Sequence, residues 1–418
     1  MHRSFRPVLR VASLTVALAA VLPAGAQKKS IVETQVWIDV ATHEAAGMPS
    51  MGPIGGFANR LMGGAKGPQE YPQSRDIPPG TGRFLDIAMY NSLKPGTAAT
   101  QQVPAGLGVG ESLPLLPPMP GKPSDSKRGG EPKGQDEIDI TVRQYWGCSA
   151  SIRSGQPRVV TMRIKAGNLE ANGRLAPGLF VPDRDIDASP AHALWPNRKN
   201  TKRVGERSSL VGQHRVVGDG VPASLQFQLD QNADFMPKIA LSSKGGLADS
   251  ISLEWQPVER SRAYFINAMA VQDQHNFVVW SSSEIAGAGH ELLNYLGGAH
   301  IDKWLKQKVL LPSATTRCQI PKGIFQPRGN DDRGGIASLS MIAYGPETNI
   351  AWPPKPADPR QPWDPEWNVR VRTKSTTTAI IGVDFARATT QPGDDGNNPQ
   401  PAKPSGKGKR LLDAFKHF

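Results

Sequence analysis

The chain has 418 residues, with 49 Lys and Arg against 37 Asp and Glu, a formal charge of +12. Gly (43) and Pro (38) occupy 81 of the 418 positions, well above the usual ~12%, while aromatics reach only 6%. This balance excludes a helical membrane protein, a coiled coil and a disulfide-dense miniprotein, and it favours a loop-rich, mainly β chain with disordered stretches.

Arg3, Arg6 and Arg10 precede the apolar run Val11 to Leu22, which Ala24-Gly25-Ala26 closes with small residues. That order is the pattern of a cleaved secretory signal, so residues 1–26 are expected to leave the mature chain. The 12-residue run is shorter than the ~20 residues a spanning helix needs. No Cys follows the cleavage point and no adjacent Arg pair marks the twin-arginine route. Loss of three arginines lowers the charge from +12 to +9. The expected site is the periplasm or the exterior.

Residues 27–117 are expected to form an irregular β region. Ile31 to Val40 alternates apolar and polar residues, and Phe84 to Tyr90 is a second strand candidate. Between them, 47–67 holds seven Gly with Met48, Met51 and Met62, a stretch that cannot fix one conformation by itself. Residues 118–136 contain four Pro and four Gly with little to bury, and read as a linker. A β region follows over 137–235, with strands at Ile138 to Tyr145, Arg158 to Ile164 and Leu225 to Leu229. Ala188 to Arg207 reads as a long basic loop.

Over 236–388 the alternation is more regular. Ile251, Leu253 and Trp255 share a face, as do Tyr264, Ile266, Ala268 and Ala270, and Phe277 to Trp280 is a third strand. Leu292, Leu293, Leu296, Ile301, Trp304 and Leu305 recur at helical spacing around Gly297-Gly298, predicting two short helices at about 286–310. Strands resume at Thr316 to Ile320, Ala337 to Tyr344 and Thr373 to Phe385, with Pro-rich extended chain from Pro353 to Pro365. Residues 389–418 are a disordered basic tail. Within it, Lys409 and Arg410 flank a helical face of Leu411, Leu412, Phe415 and Phe418 that suits an anionic membrane surface or a partner groove.

Cys148 and Cys318 are the whole cysteine complement, and an even count in a secreted chain predicts one bridge between them. Two buried thiols are the alternative. Neither Cys has a second Cys or a His at ligand spacing, so no metal site is expected.

Ser250-Ile-Ser-Leu-Glu-Trp255, Arg262-Ala-Tyr264-Phe-Ile266 and Ala343-Tyr344-Gly345 resemble the second, third and sixth strands of a fibronectin type III-like β-sandwich. Ala337 stands where that family usually carries a Tyr, and the helical stretch would be an insertion. The resemblance covers about 150 residues and implies a binding or spacer module without an active site. Tyr145-Trp-Gly-Cys148, Asp234-Phe-Met-Pro237 and Pro321-Lys-Gly-Ile-Phe325 are similar to a group of uncharacterised secreted proteobacterial proteins, from which no activity follows.

Catalytic patterns fail one by one. His290-Glu291 lacks the second His of a zinc protease, Asn294 occupying that place, and a buried or capping role suits His290 better. Asp183, Asp185 and Asp187 alternate like a calcium loop but lack its Gly and Glu, and Asp230, Asn232 and Asp234 fail likewise. Gly106-Leu-Gly108-Val-Gly110 is a turn, and no Gly-x-Ser-x-Gly elbow occurs. Trp352, Trp363 and Trp367, in a Pro-stiffened segment, are candidate stacking residues for sugar or peptide; the alternative is that they cover the sandwich core. The basic balance fits anionic envelope surfaces rather than nucleic acid.

These features predict a secreted, non-catalytic envelope protein that binds or scaffolds, its partner a protein or glycan, with no cofactor. The rival is a secreted polysaccharide hydrolase using an unpatterned carboxylate pair.

Overall fold

A computed structural model describes residues 32–46, 70–78, 80–118, 138–165, 168–173, 179, 181–182, 184–273, 275–328, 336–358 and 360–382. Residues 1–26 expected as a signal, the Gly/Met-rich 47–67, nearly all of the expected linker 118–136 and the expected tail with Lys409, Arg410, Leu411, Leu412, Phe415 and Phe418 lie outside the described residues.

The fold is mainly β. Its strands are β1 (Thr34–Ala46), β2 (Gly82–Asn91), β3 (Ala99–Gln102), β4 (Ser112–Leu115), β5 (Ile138–Trp146), β6 (Arg158–Lys165), β7 (Asn168–Gly173), β8 (His192–Trp195) and β9 (Gly212–Gly218). They continue as β10 (Gln226–Leu229), β11 (Leu241–Lys244), β12 (Ile251–Trp255), β13 (Ala263–Val271) and β14 (Asn276–Ser281). Helix α1 (Gly298–Lys306) follows, then β15 (Leu311–Pro312), β16 (Arg317–Ile320), β17 (Ile336–Trp352) and β18 (Trp367–Ile381). A 3-10 turn spans His290–Leu292.

One large sheet runs β7-β6-β5-β14-β13-β17-β18-β1-β2-β8, with β15 paired to β13. Two smaller sheets, β10-β9-β3-β4 and β11-β12-β16, pack on its inner face. The segments read as successive β regions therefore share one sheet: β1 lies in parallel against β18, Thr34 opposite Trp367. The long basic loop expected from Ala188 to Arg207 is corrected in part. His192 to Trp195 pairs with β2, because Ala193 and Trp195 join the core there.

Two cores lie side by side beneath the large sheet. The first gathers Val36, Ile38, Ile87, Leu113, Trp195, Phe227, Trp367 and Val371. The second gathers Ile251, Leu253, Trp255, Tyr264, Ile266, Trp280, Leu339, Met341 and Ile381. Burial of each such side chain is worth about 1.5–3 kcal/mol. Strand β18 crosses from one core to the other. Trp367, Val369 and Val371 enter the first, Ala379 and Ile381 the second. Between them Thr373, Ser375 and Thr377 occupy the inner face and are buried. Thr373 and Thr377 donate to the carbonyls of Pro346 and Glu44 (3.2 and 2.8 Å), whereas the buried Ser375 Oγ has no hydrogen-bond partner.

The same joint shapes β17, whose register against β18 shifts between Tyr344 and Glu347. The bulge brings Gly345 so close to its neighbours that a Cβ would overlap Thr373 Oγ1 and Met236 Sδ. Across the second core, Cys148 Sγ and Cys318 Sγ are bonded at 2.09 Å, tying the chain after β5 to β16. Ser149 N–H donates to the Gln319 carbonyl beside it (2.9 Å).

Candidate functional site

The outer face of the large sheet carries the chemistry. Register places side chains in transverse rows, because aligned residues of neighbouring strands point to the same face. Asp86 of β2, Asp39 of β1, Arg372 of β18 and Glu347 of β17 form one such row. Asp86, Asp39 and Arg372 are each no more than 2% exposed. Lys374, one step along β18 on the same face, has no exposed surface.

Segments 70–78, 184–187 and 290–296 cover this row and are held by it. Arg372 Nε donates to Asp39 Oδ1 (2.7 Å), and Nη2 donates to Asp39 Oδ2 and to Asp185 Oδ1 (2.8 Å). Asn294 Nδ2 donates to Asp185 Oδ2 (2.7 Å), and Arg184 makes a two-point contact with Glu347 (2.6 and 2.9 Å). Asp86 Oδ2 accepts from the Gln73 N–H (2.7 Å), the Ser74 N–H (2.6 Å) and the Ser74 hydroxyl (2.6 Å). Lys374 Nζ donates to the Asp76 carbonyl (2.6 Å). The Tyr295 ring lies against both cations, 4.4 Å from the Arg372 guanidinium carbon and 4.5 Å from Lys374 Nζ.

Burial sets the protonation states. It pushes Asp86 up to about 6 despite the Ser74 and Gln73 hydrogen bonds. It pulls Lys374 down to about 7, with Asp76 opposing and Arg372 assisting. Burial also works against charge on Arg372, but Asp39 and Asp185 reverse that, leaving its pKa raised. Asp185 is held low against burial by Arg372 and Arg75. His43, hydrogen-bonded through Nδ1 to Thr376 Oγ1 (2.9 Å), is pulled by burial and by Lys374 to about 4. Perturbed groups gather at catalytic centres, but here every one of these carboxylates is bonded to the loops or to Arg372. The depressions of about 400 Å³ lie elsewhere, lined by Ser242, Glu254 and Arg317 or by Cys148, Glu254 and Cys318.

The residues singled out in the sequence are dispersed. Trp367 is 3% exposed in the first core, its Nε1 donating to Ser224 Oγ (3.1 Å). Trp352 pairs with it across β17 and β18 yet is 49% exposed at the rim. Trp363 sits in the loop between, Nε1 donating to the Pro353 carbonyl (2.9 Å) and Lys355 Nζ 5.7 Å from its ring centre. Thus Trp367 is buried in the first core and not in the second, where cover of a sandwich core would place it, and Trp352 and Trp363 belong to neither. His290 is exposed at the start of its 3-10 turn, so the expectation of a buried or capping His is corrected. Asp185 belongs to the Arg372 pair, Asp230 caps the turn Gln231–Ala233, and Asp234 accepts from the N–H groups of Leu210 and Phe235 (2.8 Å each). No group of three or more His, Cys, Asp or Glu among the described residues is arranged to hold a metal. Asp39, Asp86, Arg372 and Lys374 belong to no motif in the sequence; the signal they leave is a charge inside a strand-like run.

Comparison with family models, curated proteins and solved structures finds no match to this chain.

Proposed function

We propose that the chain is a secreted, non-catalytic protein of the cell envelope that binds or scaffolds. One observation carries this reading. The outer face spends its buried acids and bases on clamping three covering segments to the sheet, where a hydrolase would need two carboxyl groups ~5–9.5 Å apart in an open cleft. Asp39 and Asp185 do approach one another, but around Arg372 Nη2 and under cover. The fibronectin type III-like reading of the C-terminal half is supported by strand order. The sheet β11-β12-β16 faces the run β14-β13-β17-β18 of the large sheet, an order of pairings compatible with a seven-stranded sandwich of that type, although β5 and β1 continue the large sheet on either side. On this reading the stretch with α1 is an insertion between its fourth and fifth strands. Such folds serve as binding or spacer modules, though fold alone fixes no activity.

The test is to incubate the mature protein with purified cell-wall glycan and measure co-sedimentation and reducing-end release together. Co-sedimentation without release is expected. Release that disappears in Asp39→Asn or Asp86→Asn would replace this reading with the hydrolase.

A further inference from the structure

Two more rows stand on the outer face beside the buried charged one. His192, Tyr90, Gln35, Asn368 and Ala351 form the first, and Leu194, Ala88, Trp37, Arg370 and Asn349 the second. Cover is incomplete here: Ala88 and Leu194 are buried, but the other members are reached by solvent. Gln35, Trp37, Tyr90, His192, Asn368 and Arg370 are all part-exposed, and Asn349 is exposed. The His192 ring lies 6.1 Å from Trp37 and 5.6 Å from Tyr90, tilted about 50° to each. His192 Nδ1 is fixed against Ser189 Oγ (3.0 Å), and burial holds its pKa down, so it adds ring surface rather than charge.

Arg370 is the unusual member. Its hydrogen bond runs from Nη2 to the Arg184 carbonyl (3.0 Å), and among the described residues no carboxylate lies at ion-pair distance from it. Its Nε is buried without a hydrogen-bond partner. Burial, Arg372 and Arg184 lower its pKa to about 10 against the opposing pull of Asp39 and Glu347, so it remains a cation at neutral pH. Asp39 and Glu347 are near enough to favour its charge, yet neither pairs with it directly, so its guanidinium, beside aromatic rings and amides, still complements a ligand that brings its own anion. Pyranose rings offer C–H faces to aromatic rings and paired hydroxyls to Gln and Asn, and a carboxylate takes the two-point guanidinium contact. A chain repeating these groups along one direction fits a transverse row.

We propose that the part-exposed rows Gln35–Tyr90–His192 and Trp37–Arg370–Asn349 form a binding face for an acidic, uronate-bearing polysaccharide. This rests on the non-catalytic binding reading and gives it a ligand class. The anion is met by Arg370, the sugar faces by Trp37 and Tyr90, the hydroxyls by Gln35, Asn349 and Asn368. A net positive chain, +12 in full and +9 without residues 1–26, attracts polyanions anywhere on its surface, so the test must separate this face from general attraction.

Affinity electrophoresis of the mature protein in gels containing alginate, a polyuronate, or dextran, a neutral glucan, provides it. Alginate should retard the wild type and dextran should not. Arg370→Gln should weaken retardation about tenfold. Arg215→Gln removes the same charge from an exposed position on β9 and should change it less than about twofold. Trp37→Phe keeps an aromatic ring and should retain binding, whereas Asn349→Ala, at an exposed position, should weaken it without threatening the fold. No retardation of the wild type, equal loss in Arg370→Gln and Arg215→Gln, or full binding by Asn349→Ala and Arg370→Gln would overturn the proposal. Shortening of the alginate would overturn the non-catalytic reading instead, so the two failures are distinguishable.

Discussion

Lys374→Met isolates what a buried ammonium costs the joint between the two cores. Burial takes its pKa from 10.5 to about 7 in the folded chain. Because the folded value is depressed, the unfolded chain holds the proton more tightly between those limits. The stabilising contribution is therefore complete above pH 10.5 and is lost as pH falls toward 7. The full difference corresponds to at most about 5 kcal/mol at 1.36 kcal/mol per pH unit. Between pH 7.5 and 9.5 the wild type should gain about 2.5 kcal/mol relative to the variant. Met fills a similar volume and has no proton to lose, so the pH-independent effects of lost contacts cancel in the comparison. Urea unfolding followed by tryptophan fluorescence at pH 7.5, 8.5 and 9.5 measures it. A wild-type-minus-variant difference that stays flat within about 0.5 kcal/mol would refute a buried, proton-shedding Lys374.

Arg372→Met leaves Asp39 and Asp185 buried without their cation and should cost about 3–5 kcal/mol in urea unfolding, with much less further loss when Asp39→Asn is added. His43 and Asp86 should act with opposite signs in acid. His43, depressed to about 4, contributes stability above pH 6.5 that is lost on acidification, so the wild type should lose about 3 kcal/mol relative to His43→Gln between pH 7 and 4. Asp86, raised to about 6, contributes stability below pH 3.8 that is lost as pH rises, so the wild type should lose about 2 kcal/mol relative to Asp86→Asn between pH 4 and 7. Paired denaturation series on each variant check both slopes. Alkylation of the unreduced protein should modify neither Cys148 nor Cys318, and intact mass reads this directly; reduction of a bridge spanning 170 residues should cost up to about 5 kcal/mol.

Much of the strand pattern is legible in the sequence because it depends on local alternation. Ile251, Leu253 and Trp255 show which face of β12 is inner, and Tyr264, Ile266, Ala268 and Ala270 do the same for β13. Of the two short helices expected at about 286–310, one is α1 and the other only the 3-10 turn His290–Leu292. The joint is not legible in that way. Thr373 to Phe385 reads as a strand, but nothing in it marks the polar run Lys374 to Thr378 as buried; all five residues are, because β1 from the far end of the chain lies against them. Asp39 and Arg372 are 333 positions apart, and nothing local marks them as partners. The Pro-rich segment drew attention to Trp352, Trp363 and Trp367, whereas the aromatic group on the outer face comes from Trp37, Tyr90 and His192. Those three sit on strands β1, β2 and β8, and only strand register brings them together.

Binding without cleavage on the outer face is tested most directly by hydrogen–deuterium exchange of the mature protein with and without alginate, the polymer being sized afterwards. Added protection should centre on 34–38, 88–92 and 367–371, with the alginate unchanged in length. Protection confined to 353–365 or to the β11-β12-β16 sheet, or a shortened polymer, would contradict it.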